Sequence, residues 1–217
     1  MKIKQYATPH KSSKKRNPDD VKLAVIHYTG SEGTSGTINW FKDPQSKVSA
    51  HYVIDKAGDV YAFEDLQTTL WHAGKSEWQG RKWCNSWSIG YELVGTFESG
   101  FTDSQMDSLV TLLRKDIKDT AIDTILGHEH ISPVRKVDPG TNFDWNFIRN
   151  SNELSPFTNM KNEKVVWIGS YPVESPEPVK GWDNEEMDSG KDGTFAFLSY
   201  NKNKITVPYR IGFSKKG

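Results

Sequence analysis

The sequence predicts an α/β protein: a mixed central β-sheet flanked by helices, with a small β-rich unit at the C-terminal end. Three observations predict it. Short β-branched apolar runs alternate with helix-spaced segments between residues 21 and 150. One strongly periodic amphipathic helix begins at Thr102. Beyond a polar boundary at 150–162, strand-like runs are broken by Gly, Pro and Asn.

Residues 1–20 are basic and polar and read as an arm, with the Lys11–Arg16 cluster as a solvated tail. The main domain is expected over 21–152. Val21 to His27 is short, apolar and β-branched, which suits a buried strand. Gly30 to Gly36 is a loop, and Thr37 to Phe41 is helical, ending before Asp43-Pro44. His51 to Ile54 and Val60 to Phe63 form a hairpin across Asp55-Lys56-Ala57-Gly58-Asp59. A loop holding Trp71, Trp78, Trp83 and Trp87 leads into a strand at Ser88 to Val94. Thr102 and Gln105 make a capping-box pattern. Met106, Leu109, Val110, Leu113 and Ile117 follow at helical spacing. Ile122 to Leu126 is a strand and Asp144 to Arg149 a short helix. From 163 to 217, Val165 to Ile168, Thr194 to Tyr200 and Lys204 to Ile211 are strand-like, a β-rich unit of SH3-like size. No internal repeat is detected.

A chain of 217 residues fits one ordinary domain with a small second one. Its eight Trp and ten Phe suit aromatic-lined grooves. A formal net charge of zero supplies no global field toward nucleic acid or anionic membranes, so neither is an expected partner. The one cysteine, Cys84, permits no intrachain disulfide and is read as a small, inert apolar residue. No apolar run approaches membrane-spanning length, so no membrane insertion is expected. The N-terminus lacks the apolar core of a secretory signal peptide.

The segment GHEHISPVRKVDPG, residues 127–140, carries the chemistry. It sets His128, Lys136 and Asp138 in a loop stiffened by prolines, while His27 ends an apolar strand far upstream. Two imidazoles and one carboxylate can hold zinc and leave one coordination position for water, the pattern of a hydrolytic centre. Glu92 sits inside the apolar strand Ile89 to Val94. Partial burial there would raise its pKa and suit a general base; a solvent-facing strand glutamate is the equal alternative. Lys136, two residues before Asp138, points the same way in an extended loop and can face a developing oxyanion; an exposed loop lysine is the default.

Several segments, in this order, resemble a known family: Ile26-His27-Tyr28, Val48-Ser49-Ala50-His51-Tyr52-Val53-Ile54, Trp71-His72-Ala73-Gly74, Asn85-Ser86-Trp87-Ser88-Ile89-Gly90-Tyr91-Glu92-Leu93, and the 127–140 loop. The chain resembles the zinc-dependent N-acetylmuramoyl-L-alanine amidases, the fold type of phage lysozyme-like amidases, muropeptide-recycling amidases and peptidoglycan recognition proteins. The resemblance implies zinc ligands at His27, His128 and Asp138, a catalytic glutamate at Glu92 and an oxyanion-stabilising lysine at Lys136. Trp71, His72, Trp83 and Tyr28 are then expected to line the substrate groove. His51 is expected to be structural, and His130 a loop residue without a ligand role. The implied reaction is hydrolysis of the amide between N-acetylmuramic acid and the L-alanine of the stem peptide.

The short spacing between His27 and His51 favours a lytic, phage-type or secreted antibacterial enzyme, with the C-terminal unit as a wall-targeting module. Such a protein would be made in the cytoplasm and reach the periplasmic wall by another route. Its partners would be peptidoglycan and a cognate inhibitor or immunity protein. A cytoplasmic recycling amidase is the alternative within the same chemistry, and a non-catalytic peptidoglycan-binding protein the alternative outside it.

Overall fold

The computed structural model describes residues 1–151 and, beyond them, the backbones of three strands at 167–168, 196–200 and 205–209. Met1–Ile168 forms one compact unit and Gly169–Gly217 a second.

The first unit is built on a seven-stranded mixed sheet. Its strands in chain order are β1 (Ile3–Tyr6), β3 (Leu23–Tyr28), β4 (Tyr52–Ile54), β5 (Val60–Phe63), β9 (Ser88–Leu93), β10 (Thr124–Gly127) and β11 (Trp167–Ile168). Outside it, β2 (Lys11–Lys15) pairs with β6 (Thr68–Leu70), and β7 (Glu77–Trp78) with β8 (Arg81–Lys82). The helices are α1 (Thr34–Lys42), α2 (Asp103–Asp119), α3 (His128–Ile131) and α4 (Trp145–Asn150). The sheet order is β1-β5-β4-β9-β3-β10-β11. The β4–β5 hairpin is antiparallel and every other pairing is parallel.

Alternation along β3 divides the core. Ala24 and Ile26 face one side, where Ile89 and Tyr91 of β9 join Met106, Leu109, Val110, Leu113 and Ile117 of α2. Leu23 and Val25 face the other side with Leu126, Trp78, Trp87 and Cys84. A third cluster on Val53, Phe63 and Leu70 takes Ile38 and Phe41 from α1. Helix α2 starts where the sequence places it. Thr102 Oγ1 accepts from the Gln105 amide and Gln105 Oε1 accepts from the Thr102 amide, a reciprocal cap. Gln105 is fully buried and donates through Nε2 to the carbonyls of Ile54 and Val94, which ties the helix to β4 and β9.

The N-terminal arm is a correction. Residues 3–6 add a parallel edge strand to β5, and residues 11–15 pair with β6. Almost every side chain in them is exposed, so backbone hydrogen bonds hold these strands and no apolar period announces them. The basic cluster is not a free tail. Lys11 meets Glu64 and Lys15 meets Asp65, each at 2.7 Å, and the Arg16 guanidinium donates to the carbonyls of Leu66 and Asn85. Helix α1 also begins earlier than expected, at Thr34, because its first turn holds Gly36 and lacks apolar spacing.

The strand Trp167–Ile168 extends the main sheet beside β10, although it falls inside the region expected as a C-terminal unit. In the second unit, β12 (Ala196–Tyr200) and β13 (Ile205–Tyr209) form an antiparallel pair. The rest of the expected SH3-like module lies outside the described residues. Among the described residues no helix is long and apolar enough to cross a membrane.

Candidate active site

The site lies at the carboxyl ends of the parallel strands β3, β9 and β10, on the sheet face away from α2. Open α/β sheets present functional groups at such ends because the chain leaves each strand there and frees its last side chains. His27 is the fifth residue of β3 and keeps the facing of Leu23 and Val25. Glu92 is its direct partner on β9 and shares that face. His128 follows β10 as the first residue of α3. Asp138 returns from the next loop, held where the Glu129 amide donates to its carbonyl at 2.9 Å. Gly127 makes that return possible: a Cβ there would lie 2.6 Å from Pro139 Cδ.

Three side chains from distant points in the chain meet. His27 Nδ1 and His128 Nδ1 are 2.9 Å apart, and Asp138 Oδ2 lies 2.9 Å from the first and 3.1 Å from the second. All three residues are buried. Zinc–ligand bonds of about 2.0–2.1 Å in a tetrahedral centre place donor atoms roughly 3.3 Å apart, so this triangle matches a zinc site in size and atom type. The chemistry of the set agrees. His128 Nε2–H donates to the carbonyl of Ala73 at 3.0 Å, which leaves its Nδ1 as a lone pair facing a carboxylate oxygen. Two acceptors at that distance repel unless a cation lies between them. Burial and then the neighbouring His128 push His27 down to about 4 against the pull of Asp138, so its ring is neutral, the form that ligates.

Glu92 is half-buried, and one of its carboxylate oxygens is buried without a hydrogen-bond partner. Burial raises its pKa well above the usual carboxylate range; Asp138 adds to the rise and Lys136 opposes it. Lys136 is held by a turn in which its amide donates to the carbonyl of Ser132, and its side chain reaches the same groove as Asp138.

The groove above these residues has a volume of about 680 Å3. Tyr28, Trp40, Phe41, Val48 and Trp71 give it apolar surface, and Arg135 and Lys136 also line it. Trp71 is 38% exposed and packs on the ring of His10 from the N-terminal segment, with centroids 5.5 Å apart. Of the residues expected to bind substrate, Tyr28 and Trp71 belong to this surface. Trp83 does not: it is 66% exposed and lies outside the groove, on the left-handed residue that precedes the 3-10 turn Cys84–Trp87. His72 touches the groove, yet it is buried and both its ring nitrogens are engaged, by His27 and Ser88. Trp78 and Trp87 belong to the core, where aromatic bulk is satisfied by packing.

His51 is structural. Its Nδ1 accepts from the Gly90 amide and its Nε2 donates to the carbonyl of Thr68. His130 is a buried helix residue and not a loop one; its Nδ1 accepts from the Gly127 amide and caps the turn that carries His128. Cys84 is buried, and its thiol is pushed up to about 11, mainly by burial, which makes it inert at neutral pH.

Sequence reasoning missed Trp40 and Arg135. Trp40 lies on the exposed side of α1, where periodicity marks only the buried face. Arg135 was passed over beside Lys136. Its Nη2 donates to the carbonyls of Ala73 and Lys75 at 2.7 and 3.1 Å, and its Nε donates to Ser132 Oγ. Its proximity to the motif lysine was the available signal.

Residues 17–141 match the sequence profile described as N-acetylmuramoyl-L-alanine amidase, and the chain belongs to that family, hydrolases of the muramoyl–alanine amide. Among its relatives is the 1,6-anhydro-N-acetylmuramyl-L-alanine amidase AmpD of Haemophilus influenzae, 37% identical over 162 residues, which span 65% of this chain and 88% of that one. A crystal structure of a selenomethionine AmpD derivative superposes with a TM-score of 0.61 at 33% identity, covering 68% of this chain and 93% of the other. AmiD from Escherichia coli, solved with anhydro-N-acetylmuramic acid-L-Ala-D-gamma-Glu-L-Lys, superposes with a TM-score of 0.55 at 30% identity, covering 60% of this chain and 56% of AmiD. These relatives favour the recycling alternative over the lytic reading drawn from the His27–His51 spacing, and they lend no support to an immunity-protein partner.

Proposed function

We propose that this chain is a zinc-dependent amidase of muropeptide recycling. It hydrolyses the amide between the lactyl group of anhydro-N-acetylmuramic acid and L-alanine in soluble muropeptides. The observation that carries the chemistry is the convergence of His27 Nδ1, His128 Nδ1 and Asp138 Oδ2 within 3.1 Å at the base of a groove. The relatives support the substrate class.

His27, His128 and Asp138 would hold the zinc, which when bound polarises the scissile carbonyl and acidifies water. Glu92 is the general base. Its raised pKa keeps it a strong enough base to take a proton from the attacking water, and it returns that proton to the leaving alanine nitrogen. Lys136 brings a positive charge to the oxyanion of the tetrahedral stage. Tyr28, Trp40 and Trp71 offer apolar faces to the sugar ring and the stem peptide, as amphipathic ligands require.

The test is to incubate the full chain with anhydro-N-acetylmuramyl tripeptide and identify products by mass spectrometry, with and without chelation. The expected result is free tripeptide and anhydro-N-acetylmuramic acid, loss of turnover on chelation, and recovery with added zinc. Cleavage at another bond, or full turnover after complete metal removal, would refute the proposal. The separate second unit sustains a second reading, action on intact walls. Faster release of muropeptide-derived peptide from purified sacculi than from the soluble substrate would favour it.

A further inference from the structure

One dipeptide, His72-Ala73, backs both histidines of the triangle. Asn85 Oδ1 accepts from the amides of His72 and Ala73 at 3.0 and 2.6 Å, which pins the dipeptide between β6 and β7. The carbonyl of Ala73 takes His128 Nε2–H. The ring of His72 takes the other histidine, and the direction of that bond can be read from its far end. A carbonyl only accepts, so Ser88 Oγ, 2.6 Å from the carbonyl of Cys84, directs its single proton there. Ser88 Oγ therefore accepts from His72 Nε2–H at 3.1 Å. In a neutral imidazole this leaves His72 Nδ1 as a lone pair, which accepts from His27 Nε2–H at 3.0 Å. His27 Nδ1 is then the lone pair that faces His128 and Asp138.

The relay depends on close packing. Ser88, Gly90 and Glu92 share one face of β9, and Gly90 leaves the space that the His72 ring fills. A Cβ at Gly90 would lie 2.5 Å from His72 Cγ. A free imidazole exchanges its proton between two nitrogens and rotates about its Cα–Cβ and Cβ–Cγ bonds. Here both freedoms are removed by bonds that run one way, from His27 through His72 and Ser88 to a backbone carbonyl.

We propose that His72 is a positioning residue for the zinc centre: through the relay ending at Ser88 and the Cys84 carbonyl, it holds His27 in the tautomer and orientation that present Nδ1 to the metal. The proposal rests on the zinc reading of the site. It gives His72 a part different from the groove-lining one expected of it, since both ring nitrogens are committed away from substrate.

The test measures the zinc dissociation constant of the full chain by competition with a chromophoric chelator. It compares wild type with His72→Phe, His72→Gln and Ser88→Ala, and uses the melting temperature of each metal-free protein as the control for folding. His72→Phe is expected to weaken zinc binding about 10- to 100-fold. His72→Gln should recover most of the loss, because its side-chain oxygen accepts from His27 while its amide donates to Ser88. Ser88→Ala should give an intermediate loss. In the cobalt-substituted protein the visible absorption should change with His72→Phe and return toward wild type with Gln. Wild-type affinity in His72→Phe overturns the proposal. So does a folded His72→Gln that binds as weakly as the Phe variant. Should His72→Phe not fold, Ser88→Ala decides: unchanged affinity overturns the relay. A wild-type chain that binds no zinc overturns the zinc reading of the site and the proposal built on it, an outcome distinct from wild-type zinc affinity in His72→Phe.

Discussion

Glu92 and Asp116 are two carboxylates placed on opposite faces of one sheet, and their surroundings give them different work. Glu92 faces the groove with an unpartnered oxygen, free to exchange a proton. Asp116 on α2 is fully buried and accepts from the hydroxyls of Tyr91 and Tyr52 at 2.7 and 3.2 Å. Glu92→Gln should bind zinc as wild type does yet lose about 10²- to 10⁴-fold in turnover, because the ligands remain while the base is gone. Metal titration and steady-state rates on the soluble muropeptide check both halves; near-normal turnover would remove Glu92 from its role. Burial lifts Asp116 to about 6, against the tyrosine hydrogen bonds and Lys115. The native chain therefore holds this proton where the unfolded chain has released it. Between about pH 4 and 6 the native state binds more protons, so this group lowers stability as pH rises and its contribution is most favourable below the unfolded pKa. The total is on the order of 3 kcal/mol. Asp116→Asn should remove that slope, measured as denaturant unfolding at pH 4 and pH 7 against wild type. An unchanged pH dependence would show that Asp116 does not titrate in this range.

At the scale of elements, the β4–β5 turn shows how a local signal and a tertiary contact reinforce each other. Asp55 Oδ1 accepts from the amides of Ala57 and Asp59, and the Gly58 amide donates to the carbonyl of Asp55. Gly58 sits at φ +80°, and a Cβ there would lie 2.5 Å from the backbone carbonyl oxygen of Ser104 in α2. The turn thus seats against the start of the helix, and one turn beyond Ser104 the Ser108 Oγ donates to the carbonyl of Gly58 at 2.7 Å. Gly58→Ala should cost roughly 2–4 kcal/mol from left-handed strain and overpacking together. Thermal unfolding reads the loss, and a change within error would mean that the turn relaxes away from α2. The hairpin and the capping box were legible from sequence because both are short-range: their residues contact neighbours a few positions away. Strands β1 and β2 were not, because exposed edge strands are held by backbone pairing to distant partners.

For the whole molecule, the boundary between units decides what a truncation removes. A change in composition places it near residue 162, but Trp167–Ile168 pairs with β10 and belongs to the first unit. A chain ending at Ile168 should therefore keep its melting temperature and its turnover of soluble muropeptide, whereas one ending at Asn162 loses a strand from the sheet and should melt lower. Equal melting of the two would show that the added strand contributes nothing to stability. The same contrast holds for the site. Its residue types were legible because zinc chemistry at neutral pH uses few side chains, and the loop from Gly127 to Gly140 sets three of the expected ones close in sequence. The stereochemistry of strand and helix likewise made the core faces of β3 and α2 readable, since side-chain period follows from backbone geometry alone. Tertiary structure alone decided which aromatic residues reach the groove: it admits Trp40 and Trp71 and leaves Trp83 outside. It also decided that His72 stands behind His27. These outcomes depend on which strand lies beside which and how closely two backbones approach, and contacts between residues 45 or more positions apart leave no local period in the chain.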